Sequence, residues 1–178
     1  VFGEMLTFRA LLRKAETDDK RKIMLAGKVE DMINTVVRQI AFYSFERKVH
    51  EARKSGELTA DRLCELWMSV QHESLGPSIE LREGYETFWT YIPHFIHSPF
   101  YVYAYAFGDC LVNSLYAVYE EAEAGFQEKY FELLKAGGTK HHSQLLAPFG
   151  LDASEPAFWR KGLSVIERLI DELEAMDK

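Results

Sequence analysis

Between Trp89 and Gly108 the chain reads WTYIPHFIHSPFYVYAYAFG, and His94, His97, Tyr101, Tyr103 and Tyr105 crowd imidazoles and phenols among bulky apolar side chains. Each such group, if buried, needs a hydrogen-bond partner, so the cluster is costly unless something receives the bonds. A developing negative charge on a substrate is one receiver, and a peptide carbonyl is a milder one. The same residues also suit an amphipathic aromatic helix whose hydroxyls reach water or neighbouring side chains.

The elements around the cluster must position these groups. Ser98-Pro99 predicts a helix start, with serine as cap and proline at the first helical position, and the helix is expected to run from Pro99 to about Ala124. Tyr101, Tyr105, Gly108 and Val112 then share one face, while Tyr103, Phe107 and Cys110 share another that turns to the core. Gly108 removes a side chain where something could approach closely. His94 lies in the loop between Pro93 and Ser98, free to fold back over the Tyr101/Tyr105 face. The aromatic and β-branched start of this segment also fits a strand.

Other chemistry finds no support in the spacing. A zinc helix of the His-Glu-x-x-His kind places both imidazoles on one face, but after His50-Glu51 the second position is Lys54, and after His72-Glu73 it is Gly76. No histidine has a glutamate three residues before it, as a di-iron bundle requires, and the adjacent His141 and His142 point in different directions. Gly137-Gly138-Thr139-Lys140 lacks the first part of a phosphate loop and reads as a helix stop. No spacing places Cys110 beside His94 or His97 as a nucleophile.

Length and charge bound the rest. The chain has 178 residues, enough to bury a core as one domain, and its net charge of −7 argues against a nucleic-acid surface. No apolar run is long enough for a membrane span, and two distant cysteines fit a reduced, cytoplasmic setting. Helical spacing recurs throughout, so an all-α fold is expected. A first helix runs through FGEMLTFRALLRKA, and a second runs from Asp18 or Asp19 to about Lys54, with Gly56 as its stop. Thr59 caps a third that ends before Gly76-Pro77, residues 76–84 form a loop, and Phe126–Ala136 is another helix. A turn covers His142–Ala147, and Ser154 with Pro156 begins the last helix. The opening at Val1, uncapped within its own apolar pattern, is what a piece of a longer protein would show.

The segment PHFIHSPFYVYAYAFGD resembles the C-terminal signature of the oligoendopeptidase F group in the thimet oligopeptidase family of zinc peptidases. FGEM at the start, RQIAFYSFE (Arg38–Glu46), the ELW of Glu65–Trp67, LLKAGGTKHHSQLLAPFGLD (Leu133–Asp152) and FWRKGLSVIERLIDELE extend the likeness over essentially the whole chain. The resemblance implies an all-α, multi-helix C-terminal portion of a zincin-type oligopeptidase catalytic domain, residues 1–178 being a single helical domain cut just after the third zinc-ligand motif. It also implies a deep substrate channel and hydrolysis of short peptides, with zinc in the parent enzyme and no metal ligands or bound zinc in this chain, which alone should be inactive. On the family's pattern Glu4 orients a zinc ligand, His94 and Tyr105 face the substrate as oxyanion or carbonyl donors, and Tyr101 and then Tyr103 are further substrate-binding candidates. His97 is expected to pack structurally. The implied partners are short peptides and the remainder of the catalytic domain, with self-association of an exposed channel wall as a further expectation. The alternative is a non-catalytic helical module whose aromatic face docks a partner helix or peptide.

Overall fold

Apolar residues at helical spacing give helices over most of the described residues. The computed structural model describes residues 1–121 and 124–176, and among these there is no strand. The helices are α1 (Phe2–Arg13), α2 (Asp18–Ile33), α3 (Gln39–Arg53), α4 (Ala60–Leu75), α5 (His94–His97), α6 (Tyr103–Glu120), α7 (Phe126–Ala136), α8 (His142–Leu146) and α9 (Pro156–Ala175). Asn34–Arg38, between α2 and α3, is a π-helical turn, and short 3₁₀ segments cover Tyr85–Tyr91 and Ala147–Phe149. None of the described helices is long and apolar enough to cross a membrane. The chain divides into two compact units, Ile33–Phe107 and the combination of Val1–Met32 with Gly108–Lys178.

Local signals explain most of the boundaries. Thr59 caps α4 by accepting the Arg62 amide at 3.2 Å, and Gly76 ends it at a positive φ of 68°. Pro156 stands in the first turn of α9 as expected, but Ser154 is not its cap: the Ser154 hydroxyl and amide both bond Asp152. The expected turn at 142–147 is helix α8, whose start is closed by a reciprocal box between His141 and Gln144. The helix expected from Pro99 begins only at Tyr103, and residues 122 and 123 near its expected end lie outside the described residues.

The unit Ile33–Phe107 is built on α3 and α4. Ala41, Phe42 and Phe45 of α3 meet Leu66, Trp67 and Val70 of α4, and Ile92 and Val102 close the cluster. Trp67 is fully buried, its ring 5.6 Å from Phe42 and 5.3 Å from Phe45, and its indole N–H donates to the Tyr85 carbonyl at 3.0 Å. That bond satisfies the one polar atom of the largest core side chain and ties the 3₁₀ segment to α4.

In the other unit, α6 and α9 approach closely at Gly162. A β-carbon there would lie 2.5 Å from the Cys110 carbonyl oxygen and 2.9 Å from Ser114 Oγ. The Ser114 hydroxyl faces two carbonyls, Cys110 at 2.9 Å and Phe158 at 2.8 Å, and so stitches the same contact. One helical turn away on α6, Asp109 is buried and accepts the Asn113 side-chain amide at 2.9 Å. Burial pushes the Asp109 carboxyl above its ordinary value, with the Lys28 ammonium and the Asn113 bond pulling it back only in part. Burial also pushes the Cys110 thiol up to about 11, with the Asp109 charge adding to the effect, so this thiol stays protonated and unreactive at neutral pH.

Gly162→Ala is therefore expected to destabilise the fold in urea denaturation, because overpacking costs about 1–3 kcal/mol and helix propensity returns at most about 1 kcal/mol. Unchanged or higher stability would contradict the close approach. Asp109 gives a pH-dependent expectation. Its folded pKa is raised, so its contribution is fully present below the ordinary value of 3.8 and is lost as pH rises through the folded one. Compared with Asp109→Asn, the native chain should lose relative stability in denaturant titrations as pH rises from below 3.8. A stability difference that does not change with pH would show that the carboxyl is not desolvated.

Candidate active site

The cluster singled out in the sequence hangs between two buried anchors. Ile92 and Val102 both join the core, and Phe95 between them packs its ring 5.2 Å from Phe45 and 5.9 Å from Phe42. Anchoring alternate points of the segment leaves the polar residues beside them at the surface. His94 is half-buried, and Tyr101, Tyr103 and Tyr105 are exposed.

The turn that joins α5 to α6 explains why Ser98-Pro99 does not start a helix. Phe100 adopts φ 58°, the one positive value at a non-glycine residue among the described residues. Its amide donates to Glu46 Oε1 of α3 at 2.7 Å, and its ring lies 4.6 Å from the His50 ring one turn further along α3. The left-handed conformation costs about 1–2 kcal/mol, and the Glu46 hydrogen bond acts against that cost. A tertiary bond has overridden the local helix signal.

The reversal brings His94 back over Tyr105, as expected of a flexible upstream histidine. His94 Nε2 and Tyr105 Oη are 3.1 Å apart. The Tyr101 ring stands perpendicular to Tyr105 at 5.5 Å and nearly parallel to His94 at 6.4 Å, so three polar-tipped rings form one patch. Tyr101 belongs to this patch through the turn and not through a shared helix face, which corrects the expected geometry. Tyr103 diverges, its ring 6.0 Å from Tyr43. His97, expected to pack, is exposed, and its backbone amide donates to the Pro93 carbonyl at 2.9 Å. Its place after the Phe95 anchor directs it away from the core.

Glu4 lies in the other unit and is ion-paired with Lys28 at 2.8 Å. The Lys28 bond and charge hold the Glu4 carboxyl below its ordinary range. Lys28 itself is well buried along its stem and also reaches Asp31 at 3.5 Å. Among the described residues no group of three or more histidine, cysteine, aspartate or glutamate side chains could hold a metal ion.

Sequence reasoning did not single out Glu46, Lys28 or the Asp109–Asn113 pair. The last had a visible signal, an acid and an amide four residues apart inside an apolar helix. Glu46 and Lys28 had none, because their partners lie 54 and 24 residues away.

Comparison with known proteins matches residues 1–165 to peptidase family M3. The chain is 30% identical over 175 residues to an oligoendopeptidase F homolog of Borreliella burgdorferi, covering 98% of this chain and 30% of that protein. It is 28% identical to a plasmid-encoded oligoendopeptidase F of Lactococcus lactis subsp. cremoris, covering 98% of this chain and 29% of the relative. The crystal structure of oligoendopeptidase-F from Enterococcus faecium superposes with a TM-score of 0.87 at 25% identity, over 98% of this chain and 34% of that one. The chain spans about 30% of the length of the curated relatives it matches. With an all-helical architecture that superposes on an oligoendopeptidase and a family match over most of its length, the chain belongs to peptidase family M3.

Proposed function

We propose that this chain is the peptide-facing portion of a zinc-dependent, cytoplasmic oligoendopeptidase that hydrolyses short peptides. In this reading it lines the substrate channel, and His94 and Tyr105 supply hydrogen bonds to the carbonyl under attack. The observation that carries the proposal is the 3.1 Å contact between His94 Nε2 and Tyr105 Oη in a partly exposed ring cluster. Zinc, when bound to the enzyme, supplies Lewis-acid chemistry. Its ligands belong, on this proposal, to parts of the enzyme outside this chain, and 178 residues without them should be inactive. Glu4 is proposed to orient one of those ligands.

What these residues do follows from their protons. If His94 carries its proton on Nε2, the imidazole donates to the Tyr105 oxygen and leaves the phenol O–H free to point at a substrate. In the other tautomer the phenol donates to the ring nitrogen and has no proton for the peptide. The first arrangement also polarises the phenol, because a donor whose oxygen already accepts a bond donates more strongly. A peptide carbonyl gains negative charge as its carbon becomes tetrahedral, so this bond tightens towards the transition state and acts on turnover more than on binding. Tyr101 borders the pair and offers its face or hydroxyl to the bound peptide; Tyr103, at the start of α6, offers a weaker contact.

In the full-length enzyme Tyr105→Phe is expected to lower kcat about 100-fold, with KM changed less than about threefold. A change confined to KM would mean that the phenol only positions the peptide.

A further inference from the structure

Glu46 stands apart from the residues proposed to touch the peptide. Its side chain is only 3% exposed, which for a carboxylate demands compensation. Oε1 has one partner, the Phe100 amide at 2.7 Å; Oε2 has none. A carboxylate buried with a single bond contributes little as a core side chain. Its one bond holds the one non-glycine residue in a left-handed conformation, midway between His94 and Tyr105.

We infer that Glu46 is a positioning residue for the His94–Tyr105 pair, acting through the Phe100 amide. The inference rests on the reading that this pair faces the peptide. α3 grips Phe100 twice from positions one turn apart, Glu46 at the backbone and His50 at the ring. The Phe100 peptide orientation sets where α6 begins, and α6 carries Tyr105 at its third residue. α5, on the other side of the turn, carries His94 and is pinned by Phe95 against Phe42 and Phe45 of α3. Both partners of the 3.1 Å contact are therefore referenced to α3, one by an apolar ring and one by a charged hydrogen bond. Without the acceptor, Phe100 relaxes to a negative φ and α6 starts from a different turn, so the phenol leaves the histidine.

The test uses kcat and KM of the full-length enzyme. Glu46→Leu removes the acceptor, and kcat is expected to fall about 10- to 100-fold, as misplacement of a reacting group by about 1 Å does. Glu46→Gln keeps an oxygen at the accepting position and is expected to retain kcat within about threefold. In a Tyr105→Phe background Glu46→Leu should cost less than about a further threefold, because no phenol remains to be placed. A merely structural glutamate would take the same factor from kcat in both backgrounds; that result overturns the assignment, as does a folded Glu46→Leu enzyme with undiminished kcat. If Glu46→Leu does not fold, Glu46→Asp withdraws the carboxylate by one methylene and carries the same expectations in both backgrounds. Undiminished kcat in that variant overturns the assignment equally. If Tyr105→Phe lowers kcat and Glu46→Leu does not, only the positioning role falls. If Tyr105→Phe alone leaves kcat intact, the reading of the pair fails and the assignment falls with it.

Discussion

A carboxylate oxygen of Glu46, 2.7 Å from the Phe100 amide, holds a bulky residue in backbone space that L side chains avoid. Everything between Ile92 and Tyr105 follows from that constraint. The chain leaves the core at Ile92, returns part-way with Phe95, and re-enters at Val102. Only a sharp reversal at Phe100 lets so short an excursion rejoin a helix at Tyr103 and set a tyrosine beside a histidine eleven residues earlier. The candidate site is thus a small loop with rigid ends, the arrangement in which polar groups can be exposed and still held in place.

The two compact units meet the same demand, burial of polar groups, in different ways. In Ile33–Phe107 the buried polar atoms face the turn and the 3₁₀ segment: Glu46 bonds Phe100, and the Trp67 indole bonds Tyr85. In the other unit they tighten helix packing. Ser114 faces two carbonyls, Gly162 lets α9 approach α6, and Asp109 stays buried with Asn113 at the cost of a raised pKa. Arg9 and Arg21 reach Glu172 at 2.6 Å and 3.7 Å, and Arg168 reaches Glu120 at 2.7 Å. The Arg21 and Arg168 pairs are partly exposed and add little stability individually, while the Arg9 side chain is largely enclosed. Leu115 of α6 and Val165 and Leu169 of α9 are buried in that unit.

The helices were legible because their apolar residues repeat at 3.6 and their stops are local. Thr59 and the glycines at 56, 76 and 137 mark ends with no help from the rest of the fold. The turn around Phe100 was not legible, since Ser98-Pro99 is a good local helix start and the bond that defeats it comes from Glu46, 54 residues earlier. The π turn at Asn34–Arg38 was likewise read straight through, because a single widened turn leaves the apolar pattern nearly intact. Of the candidate site, residue types and the folding back of His94 could be read from sequence. The role of Tyr101 in the patch could be guessed but for the wrong geometric reason, and the exposed His97 could not be told from a packed one. The family was readable in PHFIHSPFYVYAYAFGD itself, where the residues that make the turn are also the ones that carry the polar rings.

The central claim is that His94 and Tyr105 work as one unit on a peptide carbonyl. A double-mutant cycle on kcat in the full-length enzyme, with His94→Ala, Tyr105→Phe and the two combined, tests it most directly. If the imidazole acts through the phenol, the double variant should lose no more than about threefold beyond the worse single variant. Losses that multiply would show two independent groups and contradict the account.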